Sequence, residues 1–192
     1  MKQNFRHFLM LALLCCSASL SAANANAIVA DLSKDHISIK SNFAGEKLLL
    51  FGAVDTTQEG PIEDIVVILR GPGENFTLRK KQKKVGIWVN GAAYNVGPLP
   101  GFYAISSTRN VSEMAPQDEL IKLGIGTDGL EVNFLSPTLD AVERAEAMAG
   151  FLRLKQARAL YAQEQNGVKL IGGRLFRAEI NLPSGMPVGT YV

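Results

Sequence analysis

The sequence predicts a mainly β protein, an antiparallel immunoglobulin-like sandwich that carries one or two helices in its C-terminal half. Two observations carry this. Short apolar runs rich in β-branched residues, such as DIVVILR at 64–70, are bounded by Gly, Pro and Asp and recur through the first half of the chain. Helical signals, by contrast, are confined to the chain after Val111.

The first 27 residues stand apart from the fold. Lys2 and Arg6 form a positive start, and the apolar run FLMLALLCC is too short to cross about 30 Å of hydrocarbon as a helix. Small residues then end in Ala25-Asn26-Ala27, the A-x-A pattern of signal peptidase. Residues 1–27 therefore read as a bacterial-type signal peptide cut after Ala27, with export to the periplasm as the expectation. Leu14 precedes Cys15 and a cysteine precedes Cys16, where a lipobox needs a small residue.

Cleavage changes the chemistry. The chain of 192 residues less the leader of 27 leaves 165, enough for one domain with a core or for two small ones. Both cysteines leave, and with them disulfides, thiolate catalysis and cysteine-based metal sites. His7 leaves as well, so His36 is the remaining histidine. Lys+Arg falls from 20 to 18 with the loss of Lys2 and Arg6, which matches the 18 Asp+Glu. A mature chain near neutrality is not expected to bind nucleic acid.

Along the mature chain, residues 28–31 begin extended. Ile37 and Ile39 alternate with His36, Ser38 and Lys40, the period of a half-buried strand. Residues 47–55 and 64–70 read as buried central strands, and Phe76 and Leu78 alternate with Thr77 and Arg79. Residues 79–109 read as two or three strands with one charged end, turning at Gly91 and again across 97–101. Residues 86–90 and 102–108 supply the strands. Together, residues 28–112 form the expected sandwich.

Residues 113–174 read as the helical segment. PQDELIKL at 116–123 suits two turns. A longer helix opens at Ser136 and Pro137, an N-cap and a first-turn proline, with Asp140 and Glu143 early and Asn166-Gly167 as its C-cap. Leu139, Val142, Ala145, Ala149, Leu152, Ala159 and Leu160 supply its apolar stripe. Gly150 costs roughly 1 kcal/mol against Ala, so two helices are an alternative. Residues 175–192 return to strand, with Phe176, Ala178 and Ile180 on one face. The final PVGTYV reads as a strand that stops early, so the chain is expected to be shorter than its relatives.

Chemical signals are sparse. Gly124 to Gly129 spells G-x-G-x-x-G, but a helix precedes it and LEVNF follows, the wrong context for a dinucleotide. His36 lacks the partners of a zinc or general-base site, and Glu63-Asp64 lacks calcium-loop spacing. No cofactor or metal is expected, and no enzyme; a periplasmic enzyme using carboxylates alone is the weaker alternative. The basic run Arg79, Lys80, Lys81, Lys83 and Lys84 suits either a solvated strand end or a contact with anionic lipid or polymer. Trp88 reads first as a core or partly buried strand residue. With Tyr103 and Arg109, these residues make up the candidate contact surface.

The segments DIVVILRGPGENFTLRKKQKKVGIWVN, GFYAISSTR, LGIG and LFRAEINLPSGMPVGTY taken together resemble the alphaproteobacterial "putative transmembrane protein" family. RKK…GIWVN and FYA…STR carry most of the likeness. The resemblance implies an exported domain followed by further strands and a C-terminal transmembrane helix, which this sequence ends before reaching. It implies no catalytic residues. The expected function is an exported binding or assembly module on the periplasmic side of the inner membrane, with an envelope or inner-membrane protein as partner. The alternative is a binder of anionic envelope polymer or lipid.

Mass spectrometry of the exported protein should return a chain that begins at Ile28. A secreted product retaining residues 1–27 would contradict the cleavage assignment.

Overall fold

The computed structural model describes residues 27–55, 64–135 and 139–192. Ala25 and the predicted helix start at Ser136 and Pro137 lie outside the described residues.

Among the described residues, nine strands form three sheets. Strands β1 (Ala27–Leu32), β2 (Glu46–Asp55), β9 (Leu175–Leu182) and β8 (Val168–Ile171) make an antiparallel sheet in that order. Strands β3 (Val66–Arg70), β6 (Tyr103–Ser107) and β7 (Tyr161–Gln165) make a second. Strands β4 (Gly73–Lys84) and β5 (Ile87–Pro100) form a two-stranded sheet, a long hairpin, and near its base β5 also bridges Phe134 through Val96. The mainly β fold with antiparallel pairing is the one the sequence predicts. One pair departs from it: β6 and β7 run parallel, joined through the helical segment.

Alternation explains the four-stranded sheet. Phe176, Ala178, Ile180 and Leu182 of β9 are all buried, while the residues between them are exposed. Leu48 pairs with Ile180 on the same inner face. Leu48, Ile180 and Leu182 join Val67 and Leu69 of β3 and Ala104 and Ile105 of β6 in one core cluster, and Phe176 and Ala178 join Val54 and Val168 in a second. All five residues of β6 are buried, as a strand covered on both faces requires.

His36 to Lys40 are not a strand. Ile37 packs on the core, but Ile39 and the polar residues of the segment are exposed, and no described strand pairs with them. Alternation alone does not supply a ladder partner.

The helices are α1 (Gln117–Lys122) and α2 (Ala141–Ala157). Asp140 caps α2 in a capping box: its side chain accepts from the Glu143 amide, and the Glu143 carboxylate accepts from the Asp140 amide. The helix stops at Ala157, well short of Asn166-Gly167. Leu160 N–H donates to Lys155 O and Ala159 N–H to Gln156 O, both at 2.9 Å, with Ala159 at φ +54. This is a Schellman termination built on alanine instead of glycine, which is why the sequence pattern misses it. YAQEQ, which composition favours as helix, becomes β7 because the edge of β6 offers it five ladder positions.

The predicted stripe on α2 is also displaced. Val142, Ala145 and Ala149 are exposed, and the buried face is Phe151 and Lys155, flanked by Met148 and Leu152. Lys155 is 8% exposed. Its Nζ donates to Gly101 O at 2.7 Å and lies 4.3 Å from the Phe76 ring centroid and 5.6 Å from those of Phe151 and Tyr161. Burial pulls its pKa down, while Glu74 acts to raise it.

Lys155→Ala should cost about 2–3 kcal/mol, since it strips the packing of three rings and orphans the Gly101 carbonyl. Lys155→Met keeps the stem and should cost about 1 kcal/mol. Urea denaturation of both variants checks the order.

Candidate functional site: a basic hairpin arm

The hairpin divides into two halves. Near its base, Phe76 and Leu78 of β4 and Val96 and Leu99 of β5 join the core. Beyond Leu78 no body layer lies beneath the ribbon, and residues 79–88 are all exposed. At about 3.3 Å per residue, Arg79 to Lys84 reach roughly 20 Å from the core. The turn is Val85-Gly86, with φ of +48 and +81, between the closing pair Lys84 and Ile87. Two left-handed residues in a two-residue loop are the type I′ geometry that suits strand twist.

Gly91 is therefore not a turn, and β5 runs on through the 97–101 segment as far as Pro100. The register shifts between Arg79 and Lys81, so that Gly91 and Ala92 together oppose Lys80. A Cβ on Gly91 would sit 2.7 Å from the Lys80 carbonyl oxygen, so this bulge needs a glycine.

Register distributes the cations over both faces. Lys81 and Lys83 share one face with Asn90 and Trp88, their cross-strand partners. Lys84 lies on the other with Ile87. Lys80 is the foot of the arm: its Nζ is 2.5 Å from Glu146 of α2, and that hydrogen bond raises its pKa. Among the described residues, Arg79, Lys81, Lys83 and Lys84 have no carboxylate within 4.0 Å.

Trp88 is 67% exposed, not a core or partly buried residue, because the two-stranded arm has no second layer to cover it. Tyr103 is 1% exposed and belongs to the core. Its hydroxyl accepts from Gly126 N–H at 3.2 Å, and Arg70 lies over its ring at 5.7 Å. Arg109 sits beyond the opposite end of β6 from the hairpin base, paired with Asp64 through Nε and Nη2 at 2.7 Å each. The structure thus gathers the basic run and Trp88 on the arm and places Tyr103 and Arg109 elsewhere. The sequence reading passed over Val85 and Ile87, which join Trp88 at the tip. A two-residue spacer between charged and apolar runs is the signal that marks them.

Other features are accounted for locally. The Gly124 to Gly129 loop follows α1 and runs into a 3-10 turn, with the Gly124 carbonyl accepting from Arg70 Nη2 at 2.5 Å. A cavity of about 920 Å³ lies between the two larger sheets, walled by Leu48, Leu50, Val67, Leu69, Ile180 and Leu182. His36 reaches its lining from the covering segment. Among the described residues no group of three His, Cys, Asp or Glu is placed to hold a metal.

The fold and the arm define a β-rich domain with a protruding basic hairpin. A family model described as "Putative transmembrane protein" matches residues 27–192, and the chain belongs to that family. No curated protein and no solved structure matches it. Among the described residues no helix is long and apolar enough to cross a membrane.

Asp64, Lys155 and three tyrosines of the body predict the pH response. Hydrogen bonds from Arg109 hold the Asp64 carboxyl below its usual range, so this stabilisation is present at neutral pH and lost as pH falls through the carboxylate range. Burial raises the hydroxyl pKa of Tyr161 and Tyr103, and that of Tyr191 to about 12. The folded state therefore loses stability as pH rises from about 10 towards 12; Lys155, shifted down, acts in the opposite sense as one group against three. Urea midpoints should be flat between about pH 5 and 9 and fall at both ends. Asp64→Asn should cost about 1 kcal/mol or less at pH 7 and reduce the acid loss.

Proposed function

We propose that this protein is an exported, non-catalytic binding or assembly module, held at the membrane and facing the periplasm. Its contact element is the β4–β5 arm, and its ligand is an anionic surface of the envelope. The observation that carries this is the concentration of charge. A mature chain with equal numbers of acidic and basic residues projects five cations within six positions, on a ribbon open on both faces. Four of them lack a carboxylate partner among the described residues. Positive charge so arranged raises the local concentration of anions and is weakened by salt. Its second effect is to keep the open edges of the hairpin from pairing with other strands.

Replacing Arg79, Lys81, Lys83 and Lys84 together by Glu should reduce binding to polyphosphate at least about tenfold at low salt. The circular dichroism spectrum should not change, because none of the four packs on the core. Undiminished polyphosphate binding by the variant would overturn the proposal.

A further inference from the structure

We infer that the anionic surface is a lipid bilayer, and that Val85, Ile87 and Trp88 enter its headgroup layer. The inference rests on the proposed role of the arm and names its partner. Three observations on the tip carry it.

The first is what stands at the far end. Val85 is 102% exposed, Ile87 65% and Trp88 67%, so three apolar side chains stand in solvent at the far end of a highly charged arm, with Val85 beyond its last cation. A soluble polyanion met by cations alone has no use for them. A bilayer interface has: an indole and two aliphatic side chains partition into the boundary between headgroups and acyl chains.

The second is the conformation of Val85. Its φ of +48 lies in the left-handed region, where a β-branched residue is disfavoured and Asn or Gly is the usual choice. Full exposure means that no packing within the domain offsets that strain. Neither the turn nor the core explains a valine here, whereas an apolar contact made outside the chain does.

The third is the placement of charge around the tip. Lys84 is paired with Ile87 and Lys83 with Trp88, so each face carries a cation directly opposite its apolar residue. Lys81 and Arg79 follow further back. A flat protein surface would meet one face of the ribbon and leave the other in water. A layer that the tip penetrates surrounds the ribbon, so phosphates reach the cations of both faces. Lysine stems are long enough to keep the ammonium at phosphate level while the tip sits about 5–10 Å deeper.

Trp88 is the single tryptophan of the chain, so its fluorescence reports directly on the tip. The full chain is titrated with phosphatidylglycerol vesicles, phosphatidylcholine vesicles and polyphosphate. The expected result is a blue shift of Trp88 emission with phosphatidylglycerol only, quenched by brominated acyl chains and reversed by salt. The double variant Val85→Asn, Ile87→Thr retains every cation, and Asn suits the left-handed turn position. It should fold at least as stably, bind polyphosphate as the parent does, and lose roughly tenfold in vesicle affinity. Polyphosphate binding without a blue shift on phosphatidylglycerol overturns the bilayer assignment and leaves the anion-binding role standing. An equal shift on phosphatidylcholine overturns the part given to charge. Failure to bind either anionic ligand overturns both.

Discussion

The ammonium of Lys155 is the point at which separately built parts of this protein are tied together. It comes from α2, it donates to the carbonyl of Gly101 between β5 and β6, and it is walled by Phe76 of β4, Phe151 of its own helix and Tyr161 of β7. A buried cation is tolerated only where hydrogen bonds and ring faces replace its water. Those replacements come from four different elements, so the charge is satisfied only when all four are in place. The edge-on contact of Phe151 with Tyr161 at 5.6 Å and the tilted contact of Phe76 with Phe151 at 5.1 Å fix the ring box around it.

That junction also holds the arm. Phe76 and the Pro100 carbonyl, which accepts from the Tyr161 hydroxyl at 2.7 Å, both belong to the base of the hairpin. The base is therefore anchored in the buried core, while the outer half is tied to α2 by the ion pair of Lys80 with Glu146. A rigid root with a free tip suits a contact element, because ligand binding then orders little beyond the tip itself. The arm's two faces and two edges are what permit cations and apolar residues to alternate around it.

Much of the fold was legible in sequence. Period-2 alternation found β9, and nearly continuous apolar runs found β2 and β3. Acidic residues after Pro116 placed α1. The misses share one cause. HISIK alternates but has no strand to pair with, and YAQEQ does not look like a strand but is given an edge by β6. The end of α2 rests on Ala159 in a conformation that glycine usually marks. Of the candidate surface, the basic run was visible as composition. The burial of Tyr103 and the engagement of Arg109 by Asp64 depend on neighbours remote in sequence.

By itself the sequence determined the mainly β class and the presence of a basic run beside the lone tryptophan, both of which are local in composition and period. Only the tertiary structure decided whether that tryptophan faced a core or solvent. Strand period says which side chains share a face, but not whether a second layer covers that face, and for β4 and β5 the second layer ends at Leu78. The body beneath the first half of the hairpin makes Phe76 a core residue. Its absence beyond Leu78 makes Trp88 the tip of an arm.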